Sequence, residues 1–195
     1  MVTRGRSWTR GSALFVGALI AQRLAELAWS RRNERRLRAR GAIEHDAAGY
    51  PAMVALHACW LAGMAIESAM THRTATPLRR LAFGAFVAVQ PLRYWAIRSL
   101  GDRWTTRILV PPGEPPVRSG PYRWIAHPNY VAVAAEIAAA PLVVGAWRTS
   151  LMATVLDAAV LRRRITRESA ALALVPNRNV VAPTRSRSES ISASR

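Results

Sequence analysis

The chain has 195 residues, 28 basic and 11 acidic, for a formal net charge of +17 and a pI near 11.8. Its one cysteine, Cys59, excludes an internal disulfide framework and any Cys-rich zinc or iron–sulfur site, and no metal site is expected. No two glycines are separated by a single residue, which removes the G-x-G loops of Rossmann-type dinucleotide and soluble methyltransferase sites. Apolar residues make up 51% of the chain although the mean hydropathy is only +0.05, so apolar blocks must alternate with arginine-rich stretches. That segregation points to an all-α membrane bundle.

Residues 1–10 read as a tail. Its Arg4, Arg6 and Arg10 would suit a signal peptide, but Gln22, Arg23 and Glu26 follow without a small-residue cleavage site. Gly11 to Trp29 is therefore expected to be a retained helix, with Arg23 and Glu26 able to pair on one face. Tyr50 to Met70 is the cleanest candidate span of the roughly 20 residues that cross a hydrocarbon core. Leu78 to Leu100 contains Pro91 followed by Arg93 and Arg98, so it should kink and become interfacial, with Tyr94 and Trp95 suited to that interface. Tyr130 to Leu161 is too long for one helix and short for two spans; a hairpin broken near Trp147-Arg148-Thr149 fits. Residues 176–195, rich in Ser, Arg and Pro, read as disordered. The expected architecture is five transmembrane helices, three within 11–100 and the last two a hairpin within 101–175.

Charge orients the helices. A loop from Arg31 to Arg40 holds six arginines, against three in the N-terminal tail and three at Arg73, Arg79 and Arg80. The positive-inside rule places the six-arginine loop in the cytoplasm, and with it both later polar segments, 101–127 and 162 onward. Clustered arginine is also the footprint of nucleic-acid binders. No helix-turn-helix, zinc-finger or stacking pattern accompanies it, and membrane asymmetry explains the charge more simply, so no nucleic-acid partner is expected.

Two polar clusters could carry chemistry. In Arg118-Ser-Gly-Pro-Tyr-Arg-Trp-Ile-Ala-His-Pro-Asn-Tyr130, Gly120-Pro121 forms a turn and Pro128 suits a first helical position, whose free N–H groups attract anions. Tyr122, Trp124 and Tyr130 offer faces for a cation such as a sulfonium or quaternary ammonium. In Arg162-Arg-Arg-Ile-Thr-Arg-Glu168, Arg164 and Glu168 lie four apart on one helix face. Taken alone, the second cluster is equally a cytoplasmic anchor with an i,i+4 ion pair, and the first a helix start.

The ordered set from Gly120-Pro-Tyr122 through His127-Pro-Asn-Tyr130 and Glu136, an apolar hairpin, then Arg164-Ile-x-x-Glu168, resembles the isoprenylcysteine carboxyl methyltransferase family of integral membrane enzymes. The likeness continues upstream through Gln90-Pro-Leu-Arg-Tyr-Trp95, Ser99-Leu-Gly-Asp-Arg-Trp104 and Val110-Pro-Pro-Gly113. Arg31-Arg-Asn-Glu-Arg-Arg36, Arg40-Gly-Ala-Ile-Glu44 and Tyr50-Pro51 are similar to a bacterial branch that methylates alkylpyrone or alkylresorcinol lipids. The resemblance implies a C-terminal half that binds S-adenosylmethionine at the cytoplasmic face, and a hydrophobic or lipid acceptor that comes from the bilayer. It implies cofactor contacts from Tyr122, His127, Pro128, Asn129, Tyr130 and Glu168, with a backbone-contact region at Pro116 and Val117. It assigns Arg164 to the acceptor's oxyanion. Two positions depart from the pattern: Ser169 stands where many relatives carry a second glutamate, and Gly49 where the lipid-methylating branch has a histidine.

Methyl transfer from a sulfonium is an in-line displacement, so catalysis is mainly positioning and exclusion of water. A carboxylate or an enolic hydroxyl reacts ionised and needs only an arginine to hold it, whereas a simple phenol, with a pKa of about 10, needs a proton acceptor. His127 is the nearest candidate. Of the remaining ionisable residues, Glu67 should snorkel from a helix end and Glu136 either pairs with an arginine or touches the cofactor; His57 and Asp157 take no role from the sequence, and His45 and His72 read as solvated. The other readings are prenylcysteine carboxyl or phospholipid methylation, an NADPH-dependent membrane reductase, and a non-enzymatic scaffold.

Overall fold

The computed structural model describes residues 10–70 and 76–175; the tails (1–9 and 176–195) and the 71–75 link, with Arg73 and His72, lie outside them. Five helices carry the described chain: α1 (Arg10–Ala39), α2 (Tyr50–Met70), α3 (Thr76–Leu100), α4 (Pro128–Val144) and α5 (Trp147–Ala173). Two short strands, β1 (Ile43–Glu44) and β2 (Leu109–Val110), pair antiparallel with Ile43 opposite Val110. The fold is all-α, as expected; the β pairing is too short to leave a mark on the sequence pattern.

The arginine-rich segment 31–40, expected as a loop, is instead the continuation of α1. Arginine is a good helix former, and the face that buries Val16 and Leu19 continues through Glu26, Ser30, Asn33 and Leu37 at spacings of three, four and seven. Asn33 Nδ2 donates to the carbonyls of Gly101 (3.2 Å) and Trp104 (2.9 Å), which fastens this extension to the polar loop. At 30 residues α1 is about 45 Å long, more than a bilayer core requires.

The second expectation to fail concerns α3. The helix includes Pro91, as expected, and the failure lies at Arg93, which is not interfacial but buried, at 3% exposure. Glu26 takes its Nε and Nη2 in two bonds of 2.9 and 2.6 Å. Glu136 Oε2 lies 3.2 Å from Arg93 Nη1 and 2.5 Å from Arg23 Nη2, and Gln90 donates to its other oxygen at 2.7 Å. Two acids and two arginines thus neutralise each other where α1, α3 and α4 meet, and Glu136 takes the arginine-pairing role. Tyr94 and Trp95 are surface-exposed, as an interface would have them.

The hairpin turns at Gly145-Ala146, two residues before the expected break. Gly145 adopts φ +86° and closes α4, with its N–H on the Leu142 carbonyl. Arg148 and Thr149 belong to the first turn of α5 because Glu67 does not snorkel: its carboxylate accepts their N–H groups at 3.0 and 2.7 Å and the Thr149 hydroxyl at 2.7 Å. A carboxylate at a helix N-terminus also opposes the positive end of its dipole.

The core is a small layer of Val16, Leu19, Trp60, Met64, Phe86, Ile137 and the alanines of α4, with Trp60 Nε1 donating to the Ile137 carbonyl at 3.1 Å. Many large apolar side chains point outward instead, among them Leu81 (72% exposed), Met152 (65%) and Val155 (64%). α1 and α2 are long and apolar enough to cross a membrane, and only 22% and 17% of their most apolar windows are buried, so they are not core helices of a soluble domain. Apolar outside and ion-paired inside is the pattern of a membrane bundle.

Candidate active site

The polar loop between α3 and α4 folds back over one end of the bundle. Gly120, at φ +57°, starts a 3-10 turn (Gly120–Arg123); a Cβ there would lie 2.0 Å from Ser99 Oγ and 3.0 Å from Trp95 Nε1, so the backbone approaches α3 as only glycine allows. The turn carries Tyr122, and five residues later His127 precedes Pro128, the first residue of α4. Asn129 and Tyr130 follow in the first helical turn. From the other side α5 supplies Arg164, Glu168 and Leu172 at i, i+4 and i+8.

These segments enclose a cavity of about 140 Å³. Its wall includes Pro116, Val117, Tyr122, His127, Asn129, Tyr130, Arg164 and Glu168; of the expected cofactor contacts only Pro128 lies outside, buried as the helix start. Trp124, expected to offer an aromatic face, is instead 68% exposed and lies against Trp95, away from the cavity wall. The Tyr130 hydroxyl donates to Glu168 Oε2, and the Tyr130 ring stacks on His127 with centroids 5.4 Å apart. His127 Nε2 meets Ser169 Oγ at 3.2 Å, and its Nδ1 stands 4.0 Å from Glu168. Ser169 therefore occupies its position as a histidine partner. Burial, with the negative charge of Glu168 adding to it, pushes the Tyr122 phenol up, so it stays neutral in the physiological range. Asn129 Oδ1 and Trp104 Nε1 are buried without a protein partner.

Arg164 and Glu168 do not pair with each other among the described residues. The Arg164 guanidinium is buried at 5% exposure, donates from Nη2 to the Thr106 carbonyl at 2.9 Å and lies 5.8 Å from the Tyr130 ring centroid. Behind it lies a second cavity of about 280 Å³, walled largely by apolar side chains of α1, α2, α4 and α5. Trp104, Thr105, Asn129, Tyr130 and Arg164 border both cavities. Arg164 thus stands in the partition between a polar and an apolar chamber.

The sequence reading missed several contributors. The Thr106 carbonyl that orients Arg164 has no side-chain signature. Arg107 borders the polar cavity, lies over the Tyr50 ring at 3.8 Å and donates to Glu44 at 2.5 Å, which binds β1 to the loop. Arg38 bonds the other oxygen of Glu44 at 2.5 Å. Burial works against the ionised form of Glu44, but these two guanidinium bonds outweigh it and hold the carboxyl below its ordinary range. His57 and Asp157 border the apolar cavity; the seven-residue spacing of Asp157 and Arg164 was the available signal.

The isoprenylcysteine carboxyl methyltransferase (ICMT) family model matches residues 81–174, which include the loop, the hairpin and both motifs of the polar cavity. Over 159 residues the chain is 36% identical to YpbQ of Bacillus subtilis (strain 168), itself described as an uncharacterized protein; the match covers 82% of this chain and 95% of that relative. The chain belongs to the ICMT family. No solved structure matches it significantly. As a family of membrane methyltransferases, ICMT accounts for both the exposed apolar helices and the position of the motif residues around one cavity. The matched range starts within α3, so α1 and α2, which carry much of the apolar cavity, lie outside it.

Proposed function

We propose that this chain is a multi-pass enzyme of the bacterial plasma membrane that uses S-adenosylmethionine to methylate an oxygen of a hydrophobic or lipid acceptor such as an alkylpyrone. The observation that carries this reading is the buried guanidinium of Arg164, which borders both chambers and has no carboxylate partner among the described residues. The residues of the polar chamber suit the cofactor: Glu168 accepts from ribose-type hydroxyls, the unpartnered Asn129 Oδ1 and Trp104 Nε1 await one donor and one acceptor, and Tyr122 and Tyr130 offer faces to a sulfonium. When bound, S-adenosylmethionine supplies an electrophilic methyl group.

The protein's share is to bind, orient and exclude water. Arg164, fixed by Thr106 and the Tyr130 ring, holds the acceptor oxygen as an anion; away from bulk water that charge acts more strongly than it would at the surface. An acceptor that is already ionised requires no further base. His127 belongs to the polar chamber and not to the apolar one, so its part is on the cofactor side, with Glu168 and Ser169. The extended arginine-rich end of α1 and the end of α5 lie in the cytoplasm by the positive-inside rule, which opens the polar chamber to cytoplasmic cofactor. Residues 101–175 form the cofactor-binding half, and 11–100 supply most of the acceptor side.

The test is methyl transfer from labelled S-adenosylmethionine by purified protein in lipid vesicles, offered an alkylpyrone, an alkylresorcinol, a prenylcysteine and phosphatidylethanolamine. Label in one acceptor, lost in the Glu168→Ala protein, supports the reading and selects the branch. Absence of cofactor binding by calorimetry together with absence of transfer to every acceptor overturns it.

A further inference from the structure

Four acidic side chains are buried in the described residues, and three of them have arginine partners. Glu26 and Glu136 share Arg23 and Arg93, and Asp46 takes Arg163 at 2.9 Å. Asp157 is the exception. It is 2% exposed, it borders the apolar cavity, and among the described residues no hydrogen bond or ion pair reaches it. An unpartnered carboxyl in apolar surroundings is costly to keep, more so within a membrane.

Its placement relative to Arg164 is regular. Asp157, Val160, Leu161 and Arg164 all border the cavity, at i, i+3, i+4 and i+7 on one face of α5. Two turns separate the backbone positions of Asp157 and Arg164 by about 10 Å, and both side chains lean toward the helix N-terminus, which brings the long guanidinium stem part of the way to the acid. Another wall of the cavity carries His57, whose Nδ1 lies 2.9 Å from the Met53 carbonyl and donates to it, so that in the neutral ring Nε2 is an acceptor. On the α1 and α3 walls the charges of Arg23 and Arg93 are matched by Glu26 and Glu136, although Arg23 Nε and Arg93 Nη1 make no hydrogen bond. Two turns along α5 from Arg164, the cavity wall thus offers an uncommitted hydrogen-bond acceptor in Asp157.

We propose that Asp157 is a specificity-determining residue that binds a hydroxyl group of the acceptor other than the atom that receives the methyl. This rests on the methyltransferase reading above and deepens it. The acceptor is an amphiphile with at least two polar points in its head, an oxygen held by Arg164 and a hydroxyl held by Asp157, and its tail lies along the walls of α2 and α5. A carboxyl group accepts from a hydroxyl in either protonation state, and a hydroxyl costs far less to desolvate than an ammonium group, so a neutral donor suits this chamber better than a cationic one.

The experiment compares binding of three probes to the protein in lipid nanodiscs: a long-chain 5-alkylresorcinol, the 3-alkylphenol that lacks one hydroxyl, and the counterpart with an aminomethyl group in place of that hydroxyl. Wild type, Asp157→Asn and Asp157→Leu are each measured by tryptophan fluorescence, and S-adenosylmethionine affinity in each reports whether the polar chamber is intact. A hydrogen bond to a charged partner predicts about 10- to 100-fold tighter binding of the resorcinol than of the phenol by wild type. That preference should shrink in Asp157→Asn and vanish in Asp157→Leu, at unchanged cofactor affinity. Equal binding of the two by wild type, or a preference kept in Asp157→Leu, overturns the assignment; tighter binding of the aminomethyl probe overturns the hydroxyl. A hydroxyl preference that depends on Asp157 in a protein that neither binds S-adenosylmethionine nor transfers methyl would overturn the methyltransferase reading alone.

Discussion

The two chambers on either side of Arg164 are built in opposite ways. The polar one is made of neighbours in sequence: a loop, a turn, the first residues of α4 and one stripe of α5. The apolar one takes residues from all five helices, with Arg23 and Glu26 from α1 and Arg93 from α3 bordering it alongside His57 and Asp157. A chamber of contiguous residues keeps its chemistry as long as its local fold holds, whereas one assembled at a helix junction depends on the ion pairs that hold the helices in place.

The largest effect should come from breaking that junction. Glu136 is fully buried, and Glu136→Ala would leave Arg23 and Arg93 with Glu26 alone, at a cost of about 3–5 kcal/mol for an uncompensated buried charge. Thermal unfolding in detergent should show a large drop in midpoint. In the protein that remains folded, acceptor probes should lose affinity while S-adenosylmethionine still binds. Loss of both affinities in parallel would mean that the chambers are not separately supported.

Next is the partition itself. Arg164→Ala should lower methyl transfer by about 10²- to 10³-fold, the usual effect of removing one donor to a developing or ionised oxygen. Cofactor affinity should change little, because Glu168, Asn129 and Tyr122 remain. Arg164→Lys keeps the charge but not the planar fork that meets Thr106, so single-turnover rates should fall between the two. On the polar side Tyr130→Phe removes the hydroxyl that donates to Glu168, and cofactor affinity should fall by about 10-fold with no change in acceptor affinity. An acceptor effect would mean that Tyr130 serves the apolar chamber it also borders.

The same contrast explains what was legible in the sequence. The run 116–130 and the pair Arg164 and Glu168 announce their chamber because its residues are adjacent in the chain or one helical turn apart. From that run Pro116, Val117, Tyr122, Ala126, His127, Asn129 and Tyr130 line it, together with Arg164 and Glu168. Helix number and α2's bounds followed from apolar length. The statements that failed turned on partners far away in sequence. Arg93 looked interfacial because its partners lie 67 and 43 residues off, at Glu26 and Glu136. Segment 31–40 looked like a loop because nothing nearby shows that Asn33 reaches the 101–104 turn. Trp147 to Thr149 looked like a break because the carboxylate that caps them comes from α2.

The smallest effect tests the tie between β1 and the loop. Glu44 sits between Arg38 and Arg107, and these bonds, stronger than the opposing effect of burial, hold its folded pKa below the ordinary value of 4.5. A carboxyl more acidic in the folded than in the unfolded state stabilises the protein only while it is ionised. Its contribution is therefore complete above about pH 4.5 and is lost as pH falls through the lower folded value. The unfolding midpoint should be level with respect to this group from pH 8 to about pH 5 and decline below, and Glu44→Gln should be less stable than wild type at pH 7 but approach it in acid. Because Arg107 also borders the polar chamber, the same substitution should weaken cofactor binding slightly at neutral pH and leave acceptor binding alone. An acceptor effect of equal size would show that the loop positions both chambers through the residues they share.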